Sequence, residues 1–264
     1  MGQAIFLADG ERFVPTELAR GPWDPGALHG GAPSALITAA FEATEPGSEL
    51  RIARLGFELL RPVPMQPLSL AVRIVREGRR VQELAAELHA EEQLICRASA
   101  LRVREVPDGL PPAPGGAGAT PAAMGAPSEG TPVSFGLNRD DTTSFAASAM
   151  EMRFLEGSSV LGPARVWMRL RHPLVEGRRT TPLARLSATA DFGNGVSAAL
   201  PFECFLFINA DLSIHLHRLP RGEWIGLDAR TILDSGGAGL AESVLHDVDG
   251  PVGRAFQTLV VGPR

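Results

Sequence analysis

An aspartate and a histidine with four residues between them, Asp24 and His29, stand in the turn-rich stretch RGPWDPGALHGG. A carboxylate and an imidazole are residue types that proton-transfer chemistry uses. The same residues equally suit a loop that approaches a helix, with His29 bonded to backbone. Other reactive patterns carry less. LDSGGAG at 233–239 holds a serine among glycines but has the composition of a hairpin turn. No G-x-S-x-G elbow occurs, so that route to a serine nucleophile is missing. His215 and His217 would share one face of a strand, yet no third ligand stands near them, and no metal is expected. Cys96 and Cys204 lie far apart within apolar runs, which suits buried thiols in a reducing compartment better than a disulfide.

The elements that must position such groups occur twice. Laying 54–104 over 211–261, a constant offset of 157 positions, requires no gap. Leu55 then falls on Leu212, Arg61 on Arg218, Leu88-His89 on Leu245-His246, and Arg97-Ala98 on Arg254-Ala255. The chain therefore reads as two copies of one folding unit, 1–106 and 133–264. Between them, the Pro/Gly/Ala-rich linker 107–132 lacks the apolar content to order itself. In the first copy, Pro33 sits near the start of a helix, APSALITAAFEA, whose small residues let other elements wrap it closely. Alternation of Leu68, Leu70, Val72 and Ile74 predicts a strand, and Glu77-Gly78 and Glu91-Glu92 mark turns in an antiparallel meander. QELAAELHAEE suits a helix by propensity, but its place between two strand-like runs assigns it to a strand. In the second copy Thr181 can cap a helix whose first turn holds Pro182. Aligning Pro33 with Pro182 gives an offset of 149, so eight extra residues follow the second helix. One helix against a meander of strands, done twice, is an α+β layout.

Bulk properties narrow the partners. A net charge of −5 argues against nucleic acid. No apolar run approaches the roughly 18 residues of a membrane span. The opening MGQAIFLADGERF lacks a basic end followed by an apolar run, so a cytoplasmic location is expected.

Two family resemblances bear on function. The Asp24-x4-His29 spacing resembles the acid/base pair of hotdog enoyl-CoA hydratases, although Gly26-Ala27 stands where that family has Asn-Pro. WDPGALHGGAPSALI, with Trp23, His29, Gly30 and Gly31 leading into an Ala-rich helix, resembles the opening of the acyl-CoA thioesterase II family. That resemblance extends over essentially the whole chain. LSATADF is similar to the family's helix with the catalytic aspartate, which places that role on Asp191. FINADLSIHLHR is similar to the strand where the family has a Thr two residues before an Asp; here Asn209 occupies the Thr position. GRAFQTLVV is similar to the closing strand that supplies a catalytic glutamine, here Gln257. The fold this implies is the double hotdog, two tandem helix-wrapped antiparallel sheets joined into one continuous sheet.

What the resemblance implies is hydrolysis of acyl-CoA thioesters by water, with no cofactor and with coenzyme A thioester as the substrate. Asp191 would take the proton, and Asn209 and Gln257 would pin the water through their amides. Backbone N–H groups at Gly30 and Gly31, with His29 beside them, would face the oxyanion and substrate. Opposite Asn209 and Gln257 in the first copy stand Ile52 and Ala100, and Glu42 lies opposite Asp191. One working site per chain is expected, in the second copy. Taken alone, Asp191 is also an ordinary helix C-terminal carboxylate. A hydratase using Asp24 and His29, or a non-catalytic acyl-CoA binding module, is the alternative. The open sheet edges of such a fold lead us to expect a homo-oligomer, a dimer of double hotdogs.

Overall fold

A computed structural model of the chain describes residues 3–106, 109, 111, 123–134, 143–157 and 161–264. Strands β1 (Phe6–Asp9) and β2 (Arg12–Pro15) precede helix α1 (Gly31–Ala43). Then come β3 (Leu50–Leu59), β4 (Leu68–Arg76), β5 (Val81–Ala90) and β6 (Gln93–Arg104). Past the linker lie β7 (Thr131–Val133), β8 (Met150–Glu156) and β9 (Ala164–Leu170), followed by α2 (Pro182–Ala190) and the short α3 (Gly193–Val196). The chain closes with β10 (Phe205–Asn209), β11 (Asp211–Leu216), β12 (Ile225–Leu233), β13 (Ala238–Asp247) and β14 (Gly250–Pro263).

All the strands belong to one sheet, in the order β1-β2-β4-β5-β6-β3-β11-β14-β13-β12-β9-β8-β7, with β10 also paired to β14. The offset of 157 relates Leu68, Val81 and Gln93, where β4, β5 and β6 begin, to Ile225, Ala238 and Gly250, where β12, β13 and β14 begin. The seam is β3 against β11, antiparallel, and Gly56 there pairs with Ser213, its own counterpart. Across the helices, Thr38 Oγ1 donates to Ser187 Oγ at 2.8 Å, 149 positions away. Thr38 thus meets its own counterpart, as Gly56 does, and a pseudo-two-fold axis runs through both contacts. The double hotdog layout is what the chain adopts.

Burial follows the strand period. Along β5, half-buried and buried residues alternate without interruption, the signature of a strand packed on one face. The hydroxyl of Thr181 accepts from Ala184 N–H and caps α2, while Pro182 begins it. Helix α1 is buried from Gly31 to Thr38, because α2 lies across it and β3, β4 and β5 lie beneath. Gly31 permits that crossing: a Cβ there would sit 2.4 Å from the Ala188 carbonyl oxygen. On the other face of the sheet, the indole of Trp167 is buried and donates to the Gly125 carbonyl at 2.7 Å. The end of the linker therefore covers part of the second copy, and Thr131 and Pro132 already belong to β7. Most of the linker, 107–108, 110 and 112–122, lies outside the described residues. Cys96 is buried as expected, whereas Cys204 is exposed, in the turn before β10. Among the described residues, no helix is long and apolar enough to cross a membrane.

Candidate active site

Helix α2 ends on Asp191, its C-cap, at the foot of the pseudo-two-fold frame where α1 begins. The carboxylate is 4% exposed. Asn209, the last residue of β10, donates from Nδ2 to Asp191 Oδ1 at 2.7 Å. Its position follows from a break in the ladder with β14. Ala210 N–H donates to the Thr258 carbonyl, and Asp211 Oδ1 accepts from Thr258 N–H at 2.7 Å. His29 Nδ1 lies 2.9 Å from Asp191 Oδ2, so both carboxylate oxygens are engaged. The hydrogen bond from Asn209 to this charged group contributes about 1.5–3 kcal/mol, enough to favour one orientation of the carboxylate.

Gly30 and Gly31 complete this corner. A Cβ on Gly30 would stand 2.9 Å from Asp191 Oδ2, so only glycine lets the start of α1 come this close. The positive end of the α1 dipole is thereby aimed at the carboxylate. Gly31 N–H is directed at His29 Nδ1 from 3.1 Å. Gly30 N–H has no acceptor among the described residues, and Gly30 lines the cavity. Gln257, on β14, is buried and works on backbone: its Nε2 donates to the Asp191 carbonyl at 3.0 Å, and its Oε1 accepts from Asn194 N–H at 2.9 Å. That amide clamps the turn between α2 and α3 rather than touching the carboxylate.

A cavity of about 380 Å³ opens over these groups. Its floor is His29, Gly30, Asp191 and Asn209, and its walls include Leu60, Val63, Phe207 and Ile208. At the mouth, Trp23 and Phe202 rings lie 5.5 Å apart, and Phe202 meets Phe207 edge-on at 5.6 Å. Mostly apolar walls around a few convergent polar groups are what a small-molecule site needs. Asp24 also lines this space, but its Oδ1 accepts from Gly26 N–H in an exposed turn. Among the described residues Asp24 makes no hydrogen bond or ion pair with His29, which lies beside Asp191 instead. Nor is any group of three His, Cys, Asp or Glu side chains gathered as a metal would require, again among the described residues.

Several contributors escape a reading of the sequence. The His29 ring stacks on Phe192 at 4.2 Å and packs on Phe145 at 5.1 Å. Phe145 is held by its N–H donating to the Arg20 carbonyl, in the other copy. Asn194 donates from Nδ2 to the Phe207 carbonyl, and its Oδ1 is buried without a partner among the described residues. Phe192 follows the acid directly, and Asn194 lies in the stretch between α2 and β10, which is eight residues longer than its counterpart in the first copy. An insertion immediately after a helix bearing an acid was the available signal.

Known proteins resemble this chain in both of its halves. The N-terminal domain of acyl-CoA thioesterase matches residues 19–103, and the C-terminal domain matches 107–261. No curated protein matches the chain. The crystal structure of an acyl-CoA thioesterase II, TesB2, from Mycobacterium marinum superposes with a TM-score of 0.65 at 17% identity, covering 94% of this chain and 96% of that one. The tesB protein of Mycobacterium avium subs paratuberculosis gives 0.67 at 17% identity over 98% and 96%. A protein with a hot dog fold from Alicyclobacillus acidocaldarius gives 0.71 at 15% identity over 98% and 95%. At these identities the structural likeness speaks to fold, whereas the two domain matches, in order and spanning most of the sequence, speak to lineage. This chain belongs to the acyl-CoA thioesterase family and is a thioester hydrolase.

Proposed function

We propose that the chain hydrolyses thioesters of fatty or related acyl-CoA by Asp191-assisted attack of water, in the cytoplasm, as part of lipid metabolism. The observation that carries this is one carboxylate, nearly sealed from solvent, held by Asn209 and His29 at the floor of an apolar cavity. The acyl group would occupy the apolar walls and set the carbonyl carbon over the floor. The negative charge of Asp191 draws a proton from the attacking water, and the free N–H of Gly30 receives the developing oxyanion. Asn209 fixes the carboxylate and Gln257 fixes the turn that bears it. No cofactor enters this scheme. We take the working form to be a homo-oligomer, because β1 and β7 leave sheet edges that a further chain can cover.

Release of free thiol from short, medium and long acyl-CoA tests the proposal. Hydrolysis at one or more lengths, lost in Asp191→Asn with the fold retained, is the expected result. Unchanged turnover in Asp191→Asn would remove Asp191 from the mechanism. A loss of enoyl-CoA absorbance without thiol release would point to a hydratase, and tight acyl-CoA binding without turnover to a binding module.

A further inference from the structure

The corner where α2 begins is open on its outer side. The helix offset of 149 carries Pro22, Trp23, His29 and Gly30, which line the cavity over Asp191, onto Arg171, His172, Arg178 and Arg179. Those four line a second cavity, of about 530 Å³, which shares no residue with the first. A hollow of that size suits a small molecule. Its lining sets the guanidiniums of Arg169, Arg171, Arg178, Arg179 and Arg185 against the single carboxylate of Glu223, among the described residues. The chain has no lysine, so an arginine as such signals nothing. Their concentration in one cavity of a protein with a net charge of −5 does.

Nearby acids answer only part of this charge. Glu151 Oε2 accepts from Arg169 Nε at 2.8 Å, and Glu223 Oε1 accepts from Arg185 at 3.2 Å. The side chains of Arg171, Arg178 and Arg179 make no hydrogen bond or ion pair among the described residues, and Arg178 lies over the Phe13 ring at 5.6 Å. Burial holds the pKa of Arg185 below its ordinary value; Glu223 opposes this, and the like charges of Arg169 and Arg179 add to it. The loop that bears these side chains is fixed by its backbone. Leu174 N–H donates to Thr180 Oγ1 at 2.9 Å, while the Pro173 and Leu174 carbonyls accept from the N–H groups of Ile5 and Phe6. Helix α2 starts at the rim, after Thr180, and turns the positive end of its dipole toward the cavity.

We infer that this cavity binds a small molecule with clustered phosphate groups, Arg171 and Arg178 pairing with its oxygens. The unpaired guanidiniums exceed what a lone carboxylate would neutralise, and their planar N–H forks match phosphate oxygens in pairs. A free diphosphate has that chemistry, and so does the nucleotide end of coenzyme A. Hydrolysis at the Asp191 corner plays no part in this binding, so thiol release and anion binding stand or fall separately.

Calorimetric titration with sodium pyrophosphate and with adenosine 3′,5′-bisphosphate tests this. Wild type should bind pyrophosphate saturably, at one site per chain. Arg171→Ala and Arg178→Ala should each weaken it by about ten-fold, and the double variant by about 10²-fold, with circular dichroism confirming the fold. Arg73→Ala, which removes an exposed arginine of β4 outside the cavity, should bind as wild type does. Tighter binding of the bisphosphate than of pyrophosphate names the nucleotide end of coenzyme A as the source, and the reverse order names a free diphosphate. No saturable binding of either probe by wild type overturns the proposal. So does binding that survives in the double variant, or a loss in Arg73→Ala equal to that in Arg171→Ala. Retention of wild type on phosphatidylserine vesicles without saturable pyrophosphate binding assigns the patch to a lipid surface and overturns it as well.

Discussion

The two longer helices, α1 and α2, each carry at or beside their last residue an acid that faces the start of the other, and the two meetings have opposite characters. At one, Asp191 meets His29 and Gly30 under an apolar cavity. At the other, Glu42 accepts a short hydrogen bond from Thr181 Oγ1, the cap of α2. Burial pushes the Glu42 carboxyl up, against the opposing pull of Thr181 and of Arg102. Arg102 is itself buried and fills the corner, donating to the Phe41 carbonyl, to the Thr44 carbonyl at 2.7 Å, and to Gln82 Oε1 at 3.1 Å. Where the second copy has Asn209 and Gln257, the first has Ile52 and Ala100, which offer no hydrogen bond from their side chains. The frame alone therefore does not make a site. What separates the two corners is a pair of glycines in place of Arg179 and Thr180, two amides, and eight inserted residues.

The largest effects should come from treating the two acids alike. Asp191→Asn is expected to lower kcat by about 10²–10⁴, as removal of a group that drives proton transfer does. Glu42→Gln should leave thiol release within about two-fold, since that carboxylate serves a cap. Equal losses in both variants would show that the first corner is also catalytic.

The glycine at the contact comes next. Gly30→Ala places a methyl against the Asp191 carboxylate, at 2.9–3.1 Å from its atoms, and must push it away. We expect a fall in kcat of about 10²-fold, the scale of losing one well-placed donor. Arg179→Ala, at the equivalent position of the exposed start of α2, should leave the rate unchanged. Asn209 follows with a smaller effect. Asn209→Ala should cost about ten-fold to 10²-fold, because the hydrogen bond to the carboxylate goes while the close packing of His29 stays. Asn209→Thr, which restores the hydroxyl of the family pattern, should recover most of it. If Ala and Thr behave identically, Asn209 only fills space.

The contrast between the corners also marks what the sequence could disclose. The offset of 157 returned the starts of three strand pairs, because strands in a duplicated meander keep their spacing even when their faces change, whereas the β3–β11 seam came only with the structure. QELAAELHAEE resolved as strand through context, where propensity alone misleads. The β1–β2 hairpin was not anticipated; two four-residue strands offer too little alternation to detect. Asp191, Asn209 and Gln257 were visible through family resemblance, and Gly30 through the HGG run. The partnership of His29 with Asp191 was not, since residues from different copies share no spacing. Gln257 shows the same limit: the sequence offered it as an amide to pin water, and its grip on backbone at both ends depends on the turn after α2, which no spacing discloses.

A last difference between copies concerns His89 and His246, which occupy equivalent strand positions. The side chain of His89 is 27% exposed, beside Glu87. His246 is 1% exposed, and neither ring nitrogen has a hydrogen-bond partner among the described residues. Burial, only partly opposed by Asp228, lowers its pKa from 6.5 to about 4. Below pH 6.5 the unfolded chain binds a proton here that the folded chain refuses, so stability must fall as pH drops from 6.5 toward 4 and then level off. The whole step amounts to about 3 kcal/mol. Urea unfolding of wild type and His246→Leu between pH 4 and 8 isolates it, because every other titration cancels in the difference. The variant should gain on wild type steadily as the solution is acidified; a constant difference would mean that protonated His246 finds a partner when the ring moves.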